Sequence, residues 1–288
     1  MRAPAALSRL LDIRTVFRHM ERKILAEITH NMRVKTYPDG TQIFTCASSP
    51  IYRESGWELA AQMDGGSRSS QQRDGKIEDL QRAKRRAAMQ VFDIAYASEF
   101  RYFVTLTLDA DKVDRYDVKE VTRKLNNWLD NKVRRNGLRY VLVPERHKDG
   151  AIHFHGFFND ALPVVDSGTL SNGGKPKRFS SPKVRARKLA EGWHVVYNLP
   201  SWSLGFTTAI ELYGDKRAAV GYVCKYITKA TEKVGGRWFY SGGDIRRPVT
   251  TLLDGDFEDF EHIEGVSQYR IDRIGVDILQ WEVKGEML

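Results

Sequence analysis

Apolar positions in the first third of the chain follow helical spacing and then form short β-prone runs. Residues 7–30 place their apolar side chains near one face, so an amphipathic helix is predicted there. Turn-forming residues at 37–41 lie between two β-prone runs and predict a hairpin at 32–47. Glycine, serine, glutamine and charged residues dominate 64–76, which predicts a linker before a second helix at about 77–98.

Runs of apolar and β-branched residues in the centre of the chain predict a sheet. Strands are expected at 103–108, 140–143, 152–158, 195–197 and 206–212. The helical period returns at 117–135 and 216–231, and the polar stretch at 161–192 is predicted to be loop-like. Because strands and helices mix without strict βαβ alternation, the pattern favours an α+β fold with an antiparallel sheet.

The elements group into three predicted regions. Residues 1–76 hold the first helix, the hairpin and the linker. A main domain at 77–240 holds the sheet and an insert at 161–192, and residues 241–288 form a C-terminal extension. The sequence lacks the phosphate-binding loop pattern of ATPases, so we expect no motor domain.

Composition and charge indicate the class of partner. The chain has 288 residues, with 46 Lys and Arg against 37 Asp and Glu and a net charge of +9. A basic surface attracts polyanions, of which nucleic acid is the commonest. The two cysteines, Cys46 and Cys224, are too few for a disulfide framework and fit a reducing, cytoplasmic setting. No run approaches the ~20 apolar residues that span a membrane, so no membrane partner is expected.

Basic residues concentrate in the insert, with no acidic residue between the first and the last of them. They are Lys175, Lys177, Arg178, Lys183, Arg185, Arg187 and Lys188. We predict that they bind DNA through its phosphates, although a solvated loop explains the same composition equally well. The same two interpretations apply to the early turns of the helix at 77–98, which carry Arg82, Lys84, Arg85 and Arg86.

An acidic residue and two histidines are spaced to meet on one face of a hairpin. Side chains alternate between the faces of a strand, so His153 and His155 lie on the same face. A three-residue turn at 148–150 pairs residues whose numbers sum to 298, which brings Glu145 opposite His153. His147 would face the same way, either as a spare ligand or as an exposed turn residue.

Two neutral imidazoles and one carboxylate suit a metal centre for phosphate chemistry. They leave a bound divalent ion with a net charge of about +1, which polarises a phosphodiester. Nitrogen and oxygen ligands with open coordination positions suit Mn²⁺ or Mg²⁺, with Zn²⁺ as a further alternative. A pair of histidines in a strand also occurs for structural reasons alone, and it is the register with Glu145 that favours a metal site.

A polar stripe runs along the helix predicted at 216–231. Its members follow the spacing i, i+3, i+4 and i+7 and are Tyr222, Lys225, Tyr226 and Lys229. The opposite face is suited to packing and holds Val220, Val223, Cys224 and Ile227. A free phenol has a pKa near ~10, and a polarised phosphate beside a lysine ammonium favours attack by the phenolate. Packing is the alternative role of such a pair, and the lysine spacing favours Tyr226 as the first nucleophile.

The order of these motifs resembles that of the HUH endonuclease superfamily. The histidine motif precedes the tyrosines, as in the replication initiators of that superfamily. The two-tyrosine helix is similar to that of replication gene A proteins and related phage and plasmid Rep proteins. The resemblance covers about 100–240, with the insert at 161–192 outside its minimal pattern. It implies an antiparallel sheet of about five strands flanked by helices, with the histidine strand central.

The resemblance also implies a role for each motif residue. The ligands of a divalent metal, Mg²⁺ or Mn²⁺, are Glu145, His153 and His155. The nucleophiles, each with the lysine that follows it, are Tyr222 with Lys225 and Tyr226 with Lys229.

The activity implied is that of a rolling-circle replication initiator, which nicks and rejoins one DNA strand through a 5′-phosphotyrosine. The expected partners are single-stranded DNA, a replication origin, and the helicase and polymerase of a bacterial host, with the cytoplasm as the location. A transposase of the same superfamily would share the chemistry. A non-catalytic single-stranded nucleic-acid-binding module would need only basic and stacking residues, for which the aromatic candidates are Phe179, Trp193, Tyr197 and Trp202.

Overall fold

A computed structural model describes residues 29–53, 76–272 and 274–285. The strands are β1 (Thr29–His30), β2 (Met32–Thr36), β3 (Gln42–Ala47), β4 (Tyr52–Arg53), β5 (Tyr102–Leu108), β6 (Tyr140–Arg146), β7 (Ile152–Phe158), β8 (Val165–Ser171), β9 (Lys177–Arg178), β10 (His194–Asn198), β11 (Gly205–Glu211), β12 (Tyr240–Gly242), β13 (Val249–Leu253), β14 (Ser267–Ile271) and β15 (Val276–Val283). The helices are α1 (Lys76–Ala97), α2 (Val118–Asn136), α3 (Pro182–Ala190), α4 (Lys216–Lys229) and α5 (Phe257–Phe260).

The chain divides into two compact units. One is formed by Arg73–Arg247, and the other by Met1–Gln72 together with Pro248–Leu288. The sequence analysis treats the two flanks of the main domain as separate segments, whereas in the structure their described strands belong to one unit.

The central unit contains a sheet with the strand order β12-β6-β7-β5-β11-β10-β8-β9, in which every neighbouring pair is antiparallel. On one face, residues of β5, β6 and β7 pack against the buried side of α2, which consists of Val121, Leu125, Trp128 and Leu129. On the other face, Val141, Val143 and Phe157 pack against α1 and α4. Because helices cover both faces, every residue of β7 is buried. The α+β fold with an antiparallel sheet is confirmed.

Capping residues define the ends of α2, which supports this sheet. The side chain of Asp117 accepts a hydrogen bond from the backbone of Lys119 at the first turn. Gly137 ends the helix in the left-handed conformation, with φ 71°. Among the described residues, no helix is long and apolar enough to cross a membrane.

The second unit joins the predicted hairpin to the C-terminal extension. Its sheet has the order β13-β2-β3-β15-β14, and the hairpin of β2 and β3 confirms the prediction for 32–47. The Asn31 amide donates to the Gly255 carbonyl at 2.6 Å, and its side-chain oxygen accepts from the Gly255 backbone at 2.9 Å. Phe44 and Trp281 stack at 5.0 Å between ring centroids, so residues from both flanks also share a core.

The insert at 161–192 is not loop-like, and that prediction is wrong. It contains β8, β9 and α3, and α3 begins at Ser181, whose side chain accepts from the backbone of Val184. The glycines and prolines near its tip suggest a loop, but β8 pairs with β10 across a bulge that the sequence does not indicate. With β8, β9 and β12 added, this sheet has eight strands rather than about five.

Two further predictions fall at or beyond the limits of the described residues. The helix at 7–30 lies outside them up to residue 28, and at Thr29–His30 the chain is a strand that pairs with β4, so a helix is wrong there. The linker at 64–76 lies outside them except for Lys76, which begins α1. The other predicted helices and strands correspond to α1, α2, α4, β5, β6, β7, β10 and β11.

The closest backbone approach along the histidine strand is at Gly156. A Cβ atom there would lie 1.9 Å from the Val141 carbonyl oxygen of β6. We expect Gly156→Ala to lower the free energy of unfolding by ~2 kcal/mol or more, because overpacking against backbone is not relieved by a side-chain shift. Urea denaturation measures the change.

Gly221→Ala is the matched control, since a Cβ there meets no atom within 4 Å and the residue lies inside α4. It should raise the free energy of unfolding by ~0.5–1 kcal/mol. Equal stability of Gly156→Ala and wild type would contradict the close pairing of β6 with β7.

Candidate functional site

The base of the candidate site is one face of the adjacent strands β6, β7 and β5. Glu145 of β6 pairs with His153 of β7, and the next pair along this face is Val143 with His155. The register predicted from the residue numbers is confirmed. The two histidines alternate in phase with Phe157, which packs against α1 and α4. All three site residues therefore lie on the face of the sheet that α4 covers.

The turn between β6 and β7 has the predicted geometry. Gly150 has a φ of 87°, in the left-handed region where glycine is favoured. The His147 backbone donates to the Ala151 carbonyl at 2.9 Å, and the Asp149 side chain accepts from the Ala151 backbone at 3.0 Å. These bonds fix the point at which the histidine strand begins.

Both imidazoles are buried, and each has a threonine of β5 against its Nδ1 atom. The Oγ1 of Thr107 lies 3.2 Å from Nδ1 of His153, and the Oγ1 of Thr105 lies 3.1 Å from Nδ1 of His155. The sequence analysis did not identify these threonines as site residues. The signal that was available is their alternation within a predicted strand, with the same period of two as the histidines.

Burial keeps both imidazoles neutral. It lowers the pKa of His153 to about 4, and the neighbouring His147 and His155 act in the same direction. Burial also lowers the pKa of His155, whereas the nearby Glu145 carboxylate opposes that effect. A neutral imidazole retains the lone pair that metal ligation requires.

Glu145 is in direct contact with one of the two histidines. Its Oε2 atom lies 2.8 Å from Nε2 of His155. The ring of His147 covers the other histidine, with 4.0 Å between its centroid and that of His153 and 22° between the planes. His147 is exposed, which agrees with the expectation of an exposed turn residue.

The donor set fits a divalent ion by its chemistry. Within the described ranges, no group of three or more His, Cys, Asp or Glu side chains is arranged to hold a metal ion. However, Glu145 and His155 already meet, and His153 is the next imidazole along the same face. A carboxylate with neutral imidazoles is a usual ligand set for such ions, and Nδ1 of each imidazole already has a polar partner.

Helix α4 presents its tyrosines to this face. Asp215 caps its start by accepting from the Arg217 backbone at 2.8 Å. Val220, Val223 and Ile227 are buried in the cluster that includes α1, which confirms the predicted packing face. The polar stripe is therefore left on the other side of the helix.

The two tyrosines contact each other and the histidine strand. The ring of Tyr226 stacks on His155, with 4.3 Å between centroids and 6° between planes. Its hydroxyl donates to the Tyr222 oxygen at 2.9 Å. Tyr222 is half exposed and meets the edge of the Phe103 ring at 5.9 Å. Burial raises the pKa of Tyr226, and the hydrogen bond to Tyr222 and the charge of Glu145 act in the same direction.

The lysines near α4 differ in their surroundings. Lys225 and Lys229 are exposed and form no ion pair with any other described residue. Lys84 of α1 is buried instead, where its ammonium donates to the Thr228 carbonyl at 3.4 Å and lies 5.9 Å from the Trp238 ring centroid. It therefore holds the last turn of α4, while Arg82, Arg85 and Arg86 are exposed.

Three of the seven basic residues of the insert are paired with acidic residues. Arg185 contacts Asp166 at 2.6 Å, and Arg187 and Lys188 contact Glu191 at 3.3 and 2.5 Å. Both acidic residues lie outside the basic run in the sequence, so the run by itself does not reveal the pairing. These three residues are weaker candidates for binding DNA phosphates.

The other four remain the stronger candidates. Lys175, Lys177, Arg178 and Lys183 are exposed, and the described part of the chain gives none of them an ion-pair partner. Arg178 donates to the Ser167 carbonyl at 3.3 Å, and the Lys177 ammonium lies 5.7 Å from the Trp193 ring centroid.

The aromatic candidates beside the insert are only in part available for stacking. Trp202 is buried in the core, where its indole donates to the Thr107 carbonyl at 3.1 Å, so the stacking role is wrong for it. Tyr197 also packs against the core. Trp193 is partly exposed, and Phe179 meets it edge to face at 5.4 Å.

Comparison with known proteins gives a match over the central segment. No curated protein and no solved structure matches the chain. Residues 101–231 match the family model of the replication-associated protein ORF2. That segment contains the histidine strand, its two neighbours β5 and β6, and the whole of α4. The match supports a replication initiator family for the part of the chain that carries the candidate site.

Proposed function

We propose that the protein is a rolling-circle replication initiator that nicks one DNA strand and holds the cut end on a tyrosine. The observation that carries the proposal is the stacking of Tyr226 on His155, because it brings a candidate nucleophile against the candidate metal site. The family match of 101–231 supports a role in replication.

A divalent ion, Mg²⁺ or Mn²⁺, would be held by Glu145, His153 and His155. Bound there, the ion would polarise the scissile phosphate and stabilise charge in the transition state. The protein's own contribution is to keep the two imidazoles neutral through burial. The Glu145 carboxylate offers the one negative ligand of the set.

The proposed reaction is a transesterification. A tyrosine phenolate forms a bond to phosphorus while the bond from phosphorus to the 3′ oxygen breaks. The leaving oxygen takes a proton and becomes a 3′-hydroxyl, and the 5′ end remains as a phosphotyrosine. The hydroxyl primes synthesis by the host polymerase behind a host helicase. Because the ester is conserved, the reverse transfer rejoins the strand without ATP.

The hydrogen bond between the tyrosines favours Tyr222 as the first nucleophile, in contrast to the lysine spacing, which favours Tyr226. Tyr226 donates to the Tyr222 oxygen, so negative charge that develops on Tyr222 meets a donor already in place. Burial raises the pKa of Tyr226 and opposes its ionisation. We therefore assign the first cleavage to Tyr222 and the second, while the first end is held, to Tyr226.

The exposed lysines would act on the substrate rather than on the fold. Lys225 and Lys229 lie on the same helix as the tyrosines, where their charge would attract the phosphates on either side of the scissile bond. The four unpaired basic residues of the insert would add affinity for the single strand that does not depend on its sequence.

Replacement of either histidine tests the metal assignment. We expect His153→Ala and His155→Ala to lose nicking of an origin oligonucleotide but to keep most of their DNA affinity, since backbone charge contacts dominate affinity. Glu145→Ala should raise the metal concentration required. A gel nicking assay with a Mn²⁺ titration measures both effects.

His262→Ala, at an exposed histidine of the second unit, is the control and should nick like wild type. Normal nicking by a double variant at His153 and His155 would rule out the metal assignment.

The tyrosines are tested by trapping the covalent adduct. Tyr222→Phe and Tyr226→Phe keep the ring and its packing, so each should fold normally and retain some cleavage. The double variant should form no adduct. In wild type, mass spectrometry after a single turnover should locate the 5′-phosphate on Tyr222. Tyr226→Phe should slow that adduct because it removes the donor to Tyr222.

Tyr213→Phe, at another exposed tyrosine, is the matched control. A first adduct on Tyr226 would reverse the proposed order, and an adduct on neither tyrosine would remove the nucleophile assignment.

The salt dependence of single-strand binding tests the insert. Replacement of Lys175 and Lys183 by Ala should flatten the slope of log K against log salt by up to ~0.7 for each phosphate that is no longer neutralised. Arg185→Ala should change the slope less, because that guanidinium is already paired with Asp166. An unchanged slope for the lysine variant would identify the insert as a solvated surface.

A further inference from the structure

Two threonines face the two histidines in register. β5 carries Thr105 and Thr107, and β7 carries His155 and His153 as their directly paired residues. Strand side chains alternate with a period of two, so all four lie on one face. One strand therefore provides a hydroxyl for each imidazole that its neighbour provides.

Each hydroxyl meets the same atom of its histidine. Thr105 Oγ1 lies 3.1 Å from Nδ1 of His155, and Thr107 Oγ1 lies 3.2 Å from Nδ1 of His153. On the far side of the His155 ring, Nε2 lies 2.8 Å from the Glu145 carboxylate. The contacts at Nδ1 leave Nε2 as the nitrogen that faces the acidic ligand.

We propose that Thr105 and Thr107 are positioning residues that hold both imidazoles by Nδ1, so that Nε2 is the nitrogen that binds a divalent cation. This rests on the proposed function, because it assumes that the histidines are ligands. The two pairs act as one device, since the same strand pairing aligns both of them.

A hydroxyl is suited to this task because it both donates and accepts. In the structure, Nε2 of neutral His155 donates to Glu145, so Nδ1 accepts from Thr105. When Nε2 binds a cation, the single proton of the neutral imidazole is carried at Nδ1 and is donated to the Thr105 oxygen. The number of protons on the ring is unchanged. A backbone carbonyl at the same place would accept only and would fit one of the two states.

Matched variants separate the hydroxyl from the shape of the side chain. Thr105→Val and Thr107→Val keep the β-branched shape that strands favour and remove the hydroxyl. Thr105→Ser and Thr107→Ser keep the hydroxyl. Thr208 of β11 pairs with Thr105 on its other side, so Thr208→Val removes a neighbouring hydroxyl as the control.

The experiment uses the full chain and Mn²⁺ alone, without DNA. Calorimetry should give Mn²⁺ binding that is 10–100-fold weaker for the double valine variant, the usual effect of removing the outer partners of metal-binding histidines. The serine variants and Thr208→Val should bind close to wild type. In the metal-free protein, the ¹⁵N resonance of His155 Nδ1 should shift in Thr105→Val and return in Thr105→Ser.

Each outcome has a distinct meaning. Wild-type affinity in the valine variants, or equally weakened binding with valine and serine, would overturn the positioning role alone. Threonine-dependent Mn²⁺ binding without any tyrosine adduct would support this role and contradict the proposed nicking. A wild-type protein that does not bind Mn²⁺ would overturn both.

Discussion

The register of β5, β6 and β7 is the constraint on which the whole site depends. It aligns Glu145 with His153 from one side and the threonines with the histidines from the other. A slip of one residue would exchange the faces of β7 and bring Phe154 to the site, with His153 and His155 in the apolar layer under α2. Buried polar groups without partners are unfavourable by ~1–3 kcal/mol each, so packing and hydrogen bonding select the same register.

Local patterns were sufficient to predict the parts of the site that lie close together in sequence. The pairing of Glu145 with His153 follows from a short turn whose centre is visible in the sequence. The helical period separates the tyrosine stripe from the packing face that Val220 begins. The stacking of Tyr226 on His155 was not predictable in this way, because it depends on where α4 lies over the sheet.

Features that depend on distant pairing were missed for a common reason. Thr105 and Thr107 meet histidines about fifty positions later in the chain, and only the strand order brings them together. The insert was predicted as a loop because its short strands follow residues that favour turns, yet β10 provides a partner for β8. Its charges were similarly misjudged, since Asp166 and Glu191 pair with its arginines from outside the basic run.

The free-energy cost of the site argues for chemistry rather than for binding alone. A module that only binds single strands needs exposed cations and stacking rings, and it gains nothing from two buried imidazoles beside a carboxylate. Burial here lowers the pKa of both histidines and raises that of Tyr226, so each group is held in its neutral form. Neutral imidazoles are ready to bind a cation, whereas the phenol requires a positive charge nearby before it ionises. The same burial that lowers reactivity without a cation therefore makes the site depend on one, and such dependence is a property of an enzyme.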